Sequence, residues 1–196
     1  MNKLFIFDMG GVVVNNCSLW PDVARAVGVD DVDYRSVYGR LLQAAHRGDI
    51  SSMENLRIMA ARAGRPVPQE NYWQKFFHPD MCPGTVQLIE SLKSCGQRVV
   101  CGTNTIDVHY QYHIDHHEYD CFDAVYASNL LGQAKPDITF WHAIRNAEKY
   151  AFEDMFFFDD MIDNVVAAAS LGIKAHQFTT SAEAADYIRA ETNLAL

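Results

Sequence analysis

The side chains best able to do chemistry here stand at the ends of apolar runs. Leu4-Phe5-Ile6-Phe7 runs into Asp8-Met9-Gly10-Gly11, Arg98–Gly102 into Thr103-Asn104-Thr105, and Phe156-Phe157-Phe158 into Asp159-Asp160. A carboxylate from the first run and one or two from the third can hold Mg²⁺, a hard cation that prefers oxygen ligands. Such an ion offsets the local negative charge and pairs with phosphate oxygens. The Gly10-Gly11 turn lets backbone groups approach a ligand closely. Thr103 offers a hydroxyl, the Thr103–Asn104 turn offers backbone N–H groups, and Lys135 can reach in as a point charge. Any one of these is also an ordinary turn residue, and Lys135-Pro136-Asp137 alone is an ordinary helix start. Three polar strand ends in one chain, two of them acidic after aromatic runs, carry more weight than any single one.

Elements of a particular kind must position such residues. Five short apolar runs, Leu4–Phe7, Arg98–Gly102, Ala124–Ala127, Met155–Phe158 and Lys174–Phe178, read as buried parallel strands. Helical patterns lie between the later ones. Val86, Ile89 and Leu92 share a face that stops at Gly96, and Pro136 stands at a first helical position before Ile138–Tyr150. Asp163 or Asn164 can cap a helix ending at Gly172, and Thr180-Ser181-Ala182-Glu183 is a capping box. The alternation predicts a doubly wound, Rossmann-like parallel sheet, in which ligands bind beyond the carboxyl ends of the strands. Residues 15–81 break the rhythm with helical patterns only, among them the capping box Ser51-x-x-Glu54. The expected organisation is an α/β core of residues 1–14 and 82–196 with a helical insert over 15–81. The alternative is one continuous α/β domain with extra helices.

Composition narrows the function classes. The 196 residues are 49% hydrophobic, 21% charged and 12% aromatic, an ordinary globular mix. Lys plus Arg is 16 against 25 Asp plus Glu, a net charge of −9. That balance argues against nucleic acid or an anionic membrane as the main partner. No apolar run approaches the ~20 residues that span a bilayer. Cys17, Cys82, Cys95, Cys101 and Cys121 are odd in number with no C-x-x-C spacing, which suits buried thiols in a reducing compartment. The N-terminal residues enter a strand pattern directly, without the look of an export segment. The expectation is a soluble cytoplasmic protein.

Taken together, the four polar clusters resemble the motifs of the haloacid dehalogenase-like (HAD) superfamily. Phe5-Ile6-Phe7-Asp8-Met9-Gly10-Gly11-Val12 is similar to its first motif, Thr103-Asn104 to its second, Lys135-Pro136-Asp137 to its third and Phe158-Asp159-Asp160-Met161-Ile162-Asp163-Asn164 to its fourth. The match runs along essentially the whole chain. The insert resembles the superfamily's small helical cap, and Arg47-Gly48-Asp49-Ile50-Ser51 a turn common in such caps. The Asp-x-Gly form of the first motif, the Thr-Asn-Thr and the Asp-Asp-x-x-Asp-Asn resemble the branch that includes bacterial α-D-glucose-1-phosphate phosphatases.

The resemblance implies a Mg²⁺-dependent phosphatase of small phosphorylated metabolites, with sugar phosphates among the candidates. Asp8 is then the nucleophile that forms an aspartyl-phosphate. Mg²⁺ is held by an Asp8 oxygen, the Gly10 carbonyl and Asp160, with Asp159 acting directly or through water. Thr103, Asn104 and Lys135 bind the transferring phosphoryl group, and Lys135 also restrains Asp8. One departure stands out. Most family phosphatases carry a second Asp two residues after the nucleophile as general acid and base, and here that position is Gly10. A slow enzyme, a good leaving group, a replacement from the cap or loss of catalysis would each account for it. Two other readings stay open: a catalytically weak binding or regulatory protein, and a metal-free C–halogen hydrolase, which the extra charge of Asp159-Asp160 disfavours.

Other features read more plainly. His109, His113, His116 and His117 include i, i+4 pairs of metal-ligand spacing, but a solvated helix near a sheet edge is the simpler reading, with His109, nearest the second motif, the one placed to reach the site mouth. His46 and Arg47 lie in the insert and could contact substrate, with its outer face the simpler placement, and Trp20, Trp73 and Trp141 are expected in packing. Oligomeric state is open.

Overall fold

The computed structural model describes residues 2–29 and 39–196; the stretch 30–38, inside the insert expected over 15–81, lies outside the described residues. In chain order the elements are β1 (Leu4–Phe7), β2 (Val14–Asn15), α1 (Trp20–Val27), α2 (Gly39–His46), α3 (Ser52–Arg62), α4 (Tyr72–Lys75) and β3 (Asp80–Met81). They continue with α5 (Pro83–Ser94), β4 (Arg98–Thr103), α6 (Asp107–Asp115), β5 (Ala124–Ala127), α7 (Ser128–Leu131), α8 (Thr139–Glu148), β6 (Met155–Asp159), α9 (Ile162–Ala169), β7 (Lys174–Gln177) and α10 (Ser181–Glu191).

All five expected strands form, and they pair in parallel in the order β5-β4-β1-β6-β7. The chain winds outward from β1 through β4 to β5, then crosses back over β1 to β6 and β7. The switch point of this α/β sheet therefore lies at β1. Register does the rest. Phe7 sits opposite Cys101 on β4 and Phe158 on β6, so Asp8, Thr103 and Asp159 emerge at one edge.

Strand side chains alternate between two apolar layers, as buried parallel strands require. Phe5, Phe7, Phe156 and Phe158 face Leu88, Ile89 and Leu92 of α5 and Ala184, Ala185 and Ile188 of α10. Phe5 stacks on Phe156 and Phe7 on Phe158, each with ring centroids 4.8 Å apart. Leu4, Ile6 and Phe157 face Phe140, Trp141 and Ile144 of α8 and Ala168 of α9. Burying both faces fixes the strand ends in space.

The segment between β1 and α5 builds a core of its own. Leu19, Val23 and Val27 of the α1 region, Ala45 of α2, Leu56, Met59 and Ala60 of α3, and Trp73 and Phe77 pack together. Ile106, just beyond β4, joins them and ties this cluster to the sheet edge. Both capping boxes appear: Ser51 Oγ accepts from the Glu54 N–H at 3.1 Å and Thr180 Oγ1 from the Glu183 N–H at 3.2 Å. A two-residue antiparallel ribbon, β2 with β3, joins the two ends of the segment. The sequence pattern gave no strand there, because two residues carry no periodicity.

Two helix starts differ from expectation. Pro136 is not the first residue of α8: the Lys135–Pro136 bond is cis and the helix begins at Thr139. Asp137 makes the start instead, its Oδ1 accepting from the Thr139 N–H at 2.9 Å and hydroxyl at 2.8 Å. Neither Asp163 nor Asn164 caps α9, whose N-cap residue is Met161. The Asp159 carboxylate takes the Met161 N–H instead, at 2.8 Å.

Candidate active site

Asp8 prolongs β1 by one residue, and its N–H keeps a ladder bond to the Phe158 carbonyl at 2.9 Å. The side chain is 8% exposed. Its Oδ1 accepts from the Met9 N–H at 2.7 Å and from Lys135 Nζ at 3.0 Å, while Oδ2 has no hydrogen bond among the described residues. Lys135, only 1% exposed, spends its three ammonium protons on Asp8 Oδ1, Asp159 Oδ2 at 2.6 Å and the Gly102 carbonyl at 2.8 Å. Burying a charge this deeply is tolerable only with such complete pairing.

The residues around it hold that lysine in place. Asn104 clamps its main chain reciprocally, Oδ1 accepting from the Lys135 N–H at 2.9 Å and Nδ2 donating to the Lys135 carbonyl at 2.8 Å. The Asn104 side chain is therefore engaged, leaving its backbone for a ligand. Asp159, fully buried, places Oδ1 on the Met161 N–H and receives Asn164 Nδ2 on both oxygens at 3.0 Å. Thr103 is buried at the end of β4. Ser128 fixes the turn that follows, its Oγ accepting from the Thr105 N–H at 3.0 Å. Nothing in the sequence singled out Ser128 or Asn164 for these roles.

Asp160 completes the set, with one oxygen each from Asp8, Asp159 and Asp160 lying within 4.8 Å of one another. Gly11 makes this approach possible. Its φ is +72°, and a Cβ there would stand 2.6 Å from Asp160 Oδ2. Glycine is required for both the conformation and the space. Three carboxylates meet one ammonium, and the imbalance shows in their titration. Burial lifts the Asp8 carboxyl to about 7, with Lys135 opposing and Asp159 adding to the rise. Burial and Asp159 likewise raise Asp160. Burial works against the Lys135 charge, yet Asp8 and Asp159 outweigh it and hold the ammonium above its ordinary value. Among the described residues this is the one cluster of acidic, His or Cys side chains disposed to hold a metal. An all-oxygen donor set with excess negative charge fits Mg²⁺.

Above this edge lies a cavity of about 240 Å³ between the sheet and the helical segment. Gly10, Thr103 and Asn104 form its floor, and Leu19, Trp20, Leu42, Trp73, Phe77 and Ile106 are among its walls. Trp20 and Trp73 thus line a cavity as well as pack, whereas Trp141 is core. The expectation of a solvated histidine helix is corrected for half of the cluster. His109 and His113 line the cavity, His109 bonding the Trp73 carbonyl through Nε2 at 2.9 Å and stacking on Phe77. His113 Nδ1 is paired with Glu118. They sit one turn apart on the face of α6 that packs against Phe77, while His117 stays exposed.

His46 is also corrected. It lies not on the outer face but in the cavity wall, at the end of α2, and its buried Nδ1 has no partner among the described residues. Burial, helped by the Lys135 charge, holds this imidazole down to about 4. Its neighbour Arg47 pairs with Asp49 at 3.0 Å. Near Gly10 the space is already taken: a Cβ at that position would meet Cys17 Sγ at 3.1 Å. Burial raises the Cys17 thiol pKa.

Comparison with known proteins agrees with this arrangement. A protein-family model described as haloacid dehalogenase-like hydrolase matches residues 2–172. A sesquiterpene phosphatase of Aspergillus oryzae is 30% identical over 187 residues, 91% of each chain. Among solved structures, a HAD-like family hydrolase from Porphyromonas gingivalis superposes with a TM-score of 0.81 at 20% identity, covering 98% of this chain and 100% of its own. A HAD family enzyme of Bacteroides thetaiotaomicron, crystallised with magnesium and inorganic phosphate, gives a TM-score of 0.73 at 20% identity over 91% of this chain and 95% of its own. The fold, the matched family model and the full-length relative lead to one assignment: this chain belongs to the haloacid dehalogenase-like hydrolases.

Proposed function

We propose that this hydrolase is a Mg²⁺-dependent phosphatase that cleaves small organic monophosphates through an aspartyl-phosphate on Asp8, and that the group it removes phosphate from is apolar. One observation carries the reading: three converging carboxylates, two of them buried and paired to Lys135, stand next in the chain or sheet to Gly10, Thr103 and Asn104, which line a cavity whose walls are mostly aromatic and aliphatic.

Asp8 attacks phosphorus, and the ester oxygen leaves with the bonding electron pair. Thr103, the N–H groups of the turn after β4 and the Lys135 charge hold the phosphoryl group as its negative charge redistributes. Because all three Lys135 protons are already donated, its first task is to fix the Asp8 rotamer and its second is electrostatic. An Asp8 oxygen, the Gly10 carbonyl and Asp160 would hold Mg²⁺, with Asp159 orienting Lys135 and α9 from behind. Bound there, the ion supplies the positive charge that three carboxylates and a phosphate dianion lack. Residues 15–81 act as the cap that walls the organic group from water.

The apolar preference follows from the walls. Beyond Ser18, Thr105 and the histidines, a sugar or nucleoside would exchange its hydrogen bonds to water for Leu, Trp, Phe and Ile contacts, and unpaired buried polar groups cost about 1–3 kcal/mol each. The Aspergillus oryzae relative, named for a sesquiterpene phosphatase activity, points the same way. An allylic, aryl or anomeric oxygen would also leave more readily without a carboxylate at Gly10.

The test is a substrate panel of terpenyl, aryl, sugar and nucleoside monophosphates, with Mg²⁺ and with chelator. Terpenyl and aryl esters should lead in kcat/KM, and chelator should stop turnover. A preference for sugar phosphates would overturn the apolar assignment. Absence of turnover across the panel would overturn the phosphatase reading and favour a binding role.

A further inference from the structure

Hydrolysis of an aspartyl-phosphate needs a group to take a proton from the attacking water, and Gly10 has none to offer. The proton acceptors around the cavity can be sorted by what already occupies them. His109 donates Nε2–H to the Trp73 carbonyl and His113 Nδ1 pairs with Glu118, contacts that hold both rings against Phe77 and leave one ring nitrogen of each unassigned. Asp159 has both oxygens in use, and Asp8 is the nucleophile. The Cys17 thiol is pushed away from ionisation by burial. His46 has neither ring nitrogen in a hydrogen bond among the described residues: it lines the same cavity as Gly10, Thr103 and Asn104, and its Nδ1 is buried and unpaired there.

We infer that His46, reaching in from the helical segment, is the catalytic base of the second half-reaction, and this inference rests on the phosphatase reading above. In the first half-reaction the P–O(ester) bond breaks and the alkoxide takes a proton from water, leaving hydroxide. In the second, a water oxygen bonds phosphorus, the P–O bond to Asp8 breaks, and its electron pair returns to the carboxylate. One proton of that water stays on the phosphate and the other moves to His46 Nδ1. The imidazolium then gives its proton to the hydroxide, so the sum is ester plus water to alcohol plus hydrogen phosphate. Burial and Lys135 hold this imidazole neutral, the state in which Nδ1 can accept a proton, with the other ring proton on Nε2.

The base is supplied by α2, whose end meets the sheet domain closely. Gly48, two residues on with φ +72°, lies so near the Asn129 carbonyl that a Cβ there would clash. The approach that places His46 over the site thus depends on a glycine just beyond it.

The experiment is rapid-quench kinetics on the full chain with p-nitrophenyl phosphate and Mg²⁺, comparing wild type with His46→Asn and His46→Ala. The aryl leaving group makes the first half-reaction fast, so the second is exposed. Both variants should keep the nitrophenol burst, accumulate phosphoenzyme and release phosphate more slowly by on the order of 10²–10⁴-fold. Added imidazole should speed phosphate release in His46→Ala. A merely structural histidine would show neither a selective loss of the second step nor rescue. Unchanged phosphate release in a folded His46→Asn, or equal slowing of burst and release, overturns the inference while wild-type turnover leaves the phosphatase reading standing. No burst and no turnover in the wild type overturns both.

Discussion

At the scale of single residues, the site is an exercise in charge balance around Lys135. Replacing it by Met would leave Asp8 and Asp159 buried without their counter-charge, which costs about 3–5 kcal/mol when one partner of a buried pair is removed. We expect Lys135→Met to lose activity and to lower the urea midpoint sharply, with Mg²⁺ restoring part of the stability but not the activity. A variant as stable as wild type would show that the pair contributes nothing to the fold. Gly10 allows a second prediction. Its backbone is not in the left-handed region, unlike Gly11, so the obstacle to a carboxylate is Cys17 Sγ at 3.1 Å. Gly10→Asp combined with Cys17→Ala should therefore raise alkyl-phosphate turnover by up to roughly 10²-fold, more than Gly10→Asp alone. Equal rates in the single and double variants would show that Cys17 is not in the way.

The same scale shows how far sequence reading reached. Asp8, Thr103, Asp159 and Asp160 were legible because each follows a short apolar run and parallel register brings run ends together, whereas Lys135 ends no such run and gained weight only from its place between the second and fourth polar clusters. Cys17 against Gly10 and the Asn104 clamp on Lys135 were not. Neither follows from local pattern: they depend on how segments far apart in the chain dock.

At the scale of elements, α6 and α2 carry histidines whose placement the sequence left open. A helical stretch rich in His reads as solvated, and only the packing of α6 against Phe77 and Trp73 shows which face is buried. His46 closes a helix next to charged Arg47, so its phase pointed outward until the docking of α2 was known. The five strands of the parallel sheet, by contrast, were legible, because no alternative buries runs apolar on both faces, while the two-residue strands β2 and β3 were not. Burial holds His109 down to about 4 from an ordinary 6.5. Its unfolded form takes up a proton first, so its contribution to stability is complete above about pH 6.5. It is lost as pH falls toward 4, at up to about 1.4 kcal/mol per pH unit. His46 acts in the same direction, whereas Asp8, raised to about 7, acts oppositely between about 4 and 7. The His109 contribution is therefore read by difference. Urea midpoints of wild type and His109→Gln at pH 7.5 and 5 should show a smaller acid loss in the variant. Parallel losses would remove His109 as a source.

At the scale of the whole molecule, the chain places an acidic site on an acidic protein, net charge −9, and the proposed substrate is itself an anion. A divalent cation would reconcile the two. Mg²⁺ should raise the melting temperature, activity should vanish in chelator, and Asp160→Ala should weaken Mg²⁺ affinity with little change in the fold, since Asp160 is exposed. Full activity after exhaustive chelation would contradict this account. Among the described residues no helix is long and apolar enough to cross a membrane.

The most direct test of the central claim is to quench the reaction with an aryl or terpenyl monophosphate in Mg²⁺ and locate the phosphoryl group by mass spectrometry. The account predicts one acid-stable, base-labile phosphoryl group on Asp8, absent from Asp8→Asn, which should fold normally and turn over no substrate. Turnover without label on Asp8 under conditions that trap the intermediate, or an active, folded Asp8→Asn, would contradict it.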